Sequence, residues 1–289
     1  MKRTIINIVV GLMFLAGFGI LVYPTVSNQW NTYRQSQLID SYEASVQELE
    51  QEDFTGEWEL ARSYNQTVKY NALYSNAFGE SDGSLQEGEY WKVLNIADDG
   101  IMGYLSIPKI NVRLAVYHGS EETVLQTGIG HIDNTHLPIG GEGTHSVLSG
   151  HRGLPSARLF TDIDQMELGD MFYIHVLDET LAYQVDQISD MVDKDDADAL
   201  EAALALEEGQ DYVSLFTCTP YGVNSHRLIV RGTRVPYEGE EHVEATLPET
   251  MVQAVQDYYM IYLVLGLAVT ILAIIVMRVI IKRREKRNM

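Results

Sequence analysis

The chain has 289 residues, with 41 Asp and Glu against 20 Lys and Arg, a formal net charge of −21 and one cysteine. That acidity argues against a nucleic-acid binder, because phosphate contacts need clustered Lys and Arg, and the single cysteine excludes an internal disulfide. With an apolar segment at each end set aside, roughly 200 residues remain, enough for one compact domain.

Lys2 and Arg3 precede an uncharged and almost wholly apolar run from Ile5 to Tyr23, close to the ~20 residues that a membrane-spanning helix requires. A cleaved signal peptide is the competing reading, but no small-residue cleavage site follows a short apolar core. Tyr23-Pro24 comes directly after the run, and residues 1–27 therefore read as an uncleaved anchor. Asn28 to about Leu73 reads as helical. Leu38, Tyr42, Val46 and Leu49 recur at helical spacing, as do Phe54, Trp58 and Ala61, with acidic and amide residues between them. Packing on the following domain is the simplest use of such faces; a stalk above the membrane is the alternative. Tyr74 to Ser84 has loop composition, so residues 28–99 form a helical segment ending in a loop.

Strands are expected over Met102–Ile107 and Val112–Tyr117, bounded by Pro or Gly, with a short helix over 121–127. His131, Asp133 and His136 share a loop, but no further ligand is spaced to complete a metal sphere. Thr144–Leu148 reads as a strand. Met171–Val176 and Thr180–Ile188 read as a hairpin about Leu177-Asp178-Glu179, and 193–208 reads as one acidic surface helix. Asp193, Asp195, Asp196 and Asp198 lack the turn glycine and closing glutamate of a calcium loop and suit a helix start. The β-rich region is bounded at 100–240 and followed by a linker, 241–257. A second apolar run, Tyr258 to Met277, lies within the predicted span 258–278, and the tail 279–289 is basic. Basic flanks on both runs place both termini in the cytoplasm and everything between them outside.

Cys218 ends an apolar stretch, Tyr212 to Phe216, that reads as a buried strand. The turn residues Pro220, Gly222, Asn224 and Ser225 separate it from a β-type segment, His226–Val235. A lone thiol is either an inert core residue or a nucleophile. Here a hairpin sets Arg227 opposite the strand end carrying Cys218, where its charge favours thiolate and stabilises an oxyanion. An imidazole is also needed. Of the eight histidines, His151 lies in a glycine-flanked turn at a strand end, while His145 sits within that strand and His226 beside Arg227; position alone leaves these three open.

Ser149-Gly150-His151-Arg152-Gly153, Leu215-Phe216-Thr217-Cys218-Thr219-Pro220-Tyr221-Gly222 and His226-Arg227-Leu228 resemble the motifs of the sortases, in particular the pilin-polymerising class C. Gly103 to Ile110, Tyr117-His118-Gly119 and Leu154 to Thr161 extend the likeness over roughly residues 100 to 236. The resemblance implies a mainly β fold: an eight-stranded β-barrel with N-terminal and short accessory helices, flanked by two transmembrane helices. It implies that Cys218, His151 and Arg227 are catalytic and meet in one groove, with Thr217 and Leu215 assigned to substrate binding. The implied reaction cuts an LPXTG-type sorting signal between Thr and Gly through a thioester and passes the acyl group to a pilin lysine, with no metal or cofactor. Pilin subunits and the lipid bilayer are then the partners. Anchoring of surface proteins to peptidoglycan is the alternative reaction, and a non-catalytic adhesion module the alternative class. The class C lid, usually held by an Asp-Pro-aromatic tripeptide, departs from the pattern here: Asn76-Ala77-Phe78 is its nearest counterpart, which makes Phe78 and Asn76 the lid candidates.

Overall fold

In a computed structural model the described residues are 2–49, 54–72, 88–239 and 241, with isolated positions at 266, 267, 271 and 278. The chain divides into two units, residues 1–242 and 243–289; the first carries the elements below.

Among the described residues of this unit, five α-helices, α1 (Lys2–Leu49), α2 (Thr55–Thr67), α3 (Glu89–Lys92), α4 (Glu122–Leu125) and α5 (Ala197–Ala203), accompany eight strands. The strands are β1 (Ile101–Ile107), β2 (Val112–His118), β3 (Ile129–His131), β4 (Thr144–Ser149), β5 (Met171–Val176), β6 (Glu179–Asp193), β7 (Asp211–Thr219) and β8 (His226–Val235). They close into a barrel in the order β1-β2-β3-β4-β7-β8-β6-β5. The β2–β3 and β4–β7 pairs are parallel and the rest antiparallel. The eight-stranded barrel with N-terminal helices stands as expected.

Closure explains why strand sequences here are more apolar than simple alternation requires. All seven residues of β1 are buried, because one face lines the barrel and the helices cover the other. Ile39, Tyr42 and Val46 of α1 join Trp58 and Ala61 of α2, and Phe54 before it, in the same core as Met102, Leu105 and Ile107. The helical stretch thus packs on the barrel. Hydrogen bonds fix its register: Gln35 donates to the Thr127 carbonyl (2.5 Å) and accepts from the Ala115 N–H (2.9 Å). Tyr42 accepts from the Leu177 N–H (2.9 Å), and the Trp58 indole donates to Asp178 (2.8 Å). α1 continues unbroken through residues 27 and 28, where an anchor was expected to end.

One expectation is corrected. The acidic helix predicted over 193–208 is only Ala197–Ala203, because β6 runs on to Asp193 and pairs there with His226. Asp196 caps it by accepting from the Ala199 N–H (3.0 Å), and Asp193 accepts from the Asp195 N–H (2.9 Å), so two of the four acids serve the chain's own turns. As for the predicted spans, no helix among the described residues is long and apolar enough to cross a membrane. The side chains of residues 2–10, and most of the second run, 258–278, lie outside the described residues.

Candidate active site

Three adjacent strands build the site. β4 and β7 run parallel, pairing Leu148 with Leu215 and Ser149 with Phe216, so their C-terminal ends emerge side by side. The Gly150 N–H continues the ladder by donating to the Phe216 carbonyl (3.1 Å), and His151 and Cys218 follow these positions at once. On the other side of β7, the antiparallel β8 pairs Arg227 directly with Cys218. Residues 76 positions apart, His151 and Arg227, therefore flank one thiol because β7 lies between β4 and β8.

Alternation along β7 decides which side chains face this end. Cys218 and Phe216 lie on the outer face with Arg227, whose guanidinium sits 5.8 Å from the Phe216 ring centroid and donates to the Asn224 (3.3 Å) and His226 (3.1 Å) carbonyls. Leu215 and Thr217 point the other way. Leu215 is fully buried in the barrel core, and the Thr217 hydroxyl, also fully buried, donates to the Gly150 carbonyl (2.6 Å). Both are buried as they stand, and Thr217 ties the Cys218 strand to the His151 turn. Asn76 and Phe78, the lid candidates, lie outside the described residues.

Cys218 is 8% exposed. Burial pushes its thiol above the ordinary value, and the Arg227 guanidinium pulls in the opposite direction without cancelling the effect. A protonated resting thiol thus sits beside a fixed cation, an arrangement that favours ionisation when a base accepts the proton.

Other histidines among the described residues are occupied in the fold. His145 is buried, with Nδ1 3.0 Å from the Ala205 carbonyl and Nε2 2.8 Å from the Ser214 hydroxyl; burial pushes it down to about 4. His131 contacts the Tyr90 hydroxyl through Nδ1 (2.8 Å) and the His136 carbonyl through Nε2 (2.8 Å), and burial pushes it down to about 3. His226 lies against the Ser225 hydroxyl (2.8 Å). Among the described residues no cluster of His, Cys, Asp or Glu is arranged to hold a metal ion.

Two side chains at the site make contacts that the sequence did not indicate. Glu122, in the first turn of α4, places Oε2 3.1 Å from His151 Nε2. Arg152 donates to the Thr219 hydroxyl (3.0 Å), the Thr161 carbonyl (3.3 Å) and Asp164 (2.5 Å). Both contacts join segments far apart in the chain, so spacing could not reveal them.

A thiol at a barrel strand end, between an imidazole turn and a cross-strand guanidinium, defines a cysteine acyl-transfer enzyme as the class of protein. A family model described as the sortase domain matches residues 105–235. Sortase D of Bacillus subtilis is 31% identical over 136 residues, 46% of this chain and 63% of that protein, so the match spans less than two thirds of this curated relative. Among solved structures, sortase C1 of Streptococcus agalactiae is 45% identical with a TM-score of 0.60, covering 70% of this chain and 100% of that one. A sortase C of Streptococcus pneumoniae, described in connection with pilin substrate specificity, is 40% identical with a TM-score of 0.60, covering 70% and 97%. The chain belongs to the sortases, a family of cysteine transpeptidases, and to their class C branch.

Proposed function

We propose that this sortase cleaves an LPXTG-type sorting signal between Thr and Gly and joins the new acyl end to a lysine of a pilin subunit. The observation that carries the reading is the direct cross-strand pairing of Cys218 with Arg227 beside the His151 turn; the pneumococcal relative's connection with pilin specificity supports the substrate class. In the first step the Cys218 sulfur bonds to the threonine carbonyl carbon and the Thr–Gly C–N bond breaks. His151 takes the thiol proton and delivers it to the departing glycine amine. Arg227 holds the substrate backbone or the oxyanion. In the second step the lysine amine attacks the thioester, the C–S bond breaks, and the proton lost by the amine returns through His151 to the thiolate. The net exchange is one amide for one isopeptide bond.

Residency in the cell membrane with an external catalytic domain is part of the proposal. It rests on the uncharged run from Ile5 to Tyr23 and on Tyr258 to Met277 with the basic residues behind it. Protease protection in inverted vesicles tests this: the catalytic unit is shielded and the tail after Arg278 is cut.

The reaction is tested by incubating the full-length chain with an LPXTG-type peptide and a pilin domain, followed by intact mass spectrometry. An acyl adduct absent in Cys218→Ala and passed to a pilin lysine is the expected result. An adduct passed only to water or to a peptidoglycan-type amine moves the function to cell-wall anchoring.

A further inference from the structure

We infer that Glu122 is a positioning residue for His151, fixing which ring nitrogen exchanges protons with the reacting groups; this rests on the transpeptidase reading above. Glu122 Oε2 lies 3.1 Å from His151 Nε2, a distance at which the ring N–H donates to the carboxylate. In the neutral ring the proton is then on Nε2, and the basic lone pair is on Nδ1. The carboxylate is itself aimed. Gln126, one helical turn on, donates to the other oxygen, Oε1, at 3.0 Å. Leu125 anchors α4 in the protein interior with no exposed surface. The neighbouring acid is turned elsewhere: Glu121 folds over Gly119, where a Cβ would lie 2.4 Å from its Oε2. The carboxylate of Glu122 thus stands to His151 as the orienting third group stands to the base in other nucleophile and base pairs.

The imidazole side chain is 17% exposed and the carboxylate 44%, so orientation rather than a buried charge is the expected contribution. That distinction predicts how substitutions behave. Glu122→Gln keeps a carbonyl oxygen to accept from Nε2–H, and Gln126 needs only to rotate its amide by 180° to present its oxygen to the new NH2 group. Glu122→Ala removes the acceptor altogether.

The test uses the purified full-length chain with 15N-labelled histidine. Nitrogen spectra above neutral pH should show His151, assigned by its loss in His151→Gln, as the Nε2–H tautomer. Glu122→Ala should turn this into a tautomer mixture and lower kcat by about tenfold with KM within about twofold. Glu122→Gln should keep the tautomer and at least half of kcat. An unchanged tautomer in Glu122→Ala overturns the inference, as does a Gln variant as impaired as the Ala variant. The spectrum needs no substrate, so a wrong choice of peptide or acceptor amine silences turnover while leaving this result readable.

Discussion

Arg152 reaches from the turn that carries His151 to the Thr219 hydroxyl, 3.0 Å away and one residue beyond Cys218. Its guanidinium also binds the Thr161 carbonyl and Asp164, and its side chain is only 9% exposed. One cation therefore ties the ends of β4 and β7 to the segment between β4 and β5, in addition to the Thr217–Gly150 bond beneath it. The brace matters most for the His151 turn, which lies beyond the end of β4, whereas Thr219 is already held by its pairing with His226.

Arg152→Ala is expected to lower stability by about 1.5–3 kcal/mol, the usual range for hydrogen bonds to charged groups. It should also reduce kcat/KM by at least about tenfold through misplacement of His151. Thermal unfolding and steady-state transpeptidation check the two effects. Equal activity in a destabilised variant would show that the brace serves folding alone.

Arg227 acts on the thiol it faces. Burial raises the Cys218 thiol and Arg227 lowers it, so Arg227→Ala leaves the raising influence unopposed. The pH profile of iodoacetamide alkylation should move to higher pH, with the rate at pH 7.5 falling by roughly threefold. Arg227→Lys, which keeps the charge, should move it less. A shift to lower pH in the alanine variant would contradict the pairing seen between β7 and β8.

The buried histidines predict acid lability. His145 is pushed down to about 4 and His131 to about 3, both by burial. Because the folded state disfavours their protonation, the unfolded chain binds more protons at low pH. The stability they contribute is present above the ordinary histidine value of about 6.5 and is lost as pH falls toward those lowered values. For His145 the loss is on the order of 3 kcal/mol. Thermal midpoints recorded from pH 7 to pH 4 should fall steeply in the wild type and less steeply in His145→Asn. Parallel curves would assign the acid sensitivity to other groups.

Local features of the chain determined much of this protein without reference to the fold. Apolar runs set off by turn residues marked seven of the eight strands, and β8 was bounded at His226 and Val235 as found. The hairpin opposing Arg227 to Cys218 was legible because a six-residue connection, 220–225, between two strong β segments leaves little choice of partner. The motifs around His151, Cys218 and Arg227 identified the family. Tertiary structure decided the rest. Spacing left His145, His151 and His226 as rivals; the family motif favoured His151, and the barrel buries His145 against Ser214 and brings the turn of His151 beside Cys218. β3 has three residues and pairs with β2 and β4, too short for its own pattern to announce it. The resemblance assigned Leu215 and Thr217 to substrate binding, and closure of the barrel sets both on the inward side of β7, since successive residues of a strand face opposite sides. The contacts of Glu122 and Arg152 could not be foreseen for the same underlying reason. Periodicity records whether a residue is inside or outside, whereas the partner of a particular side chain is chosen by strands that meet only after the chain has closed on itself.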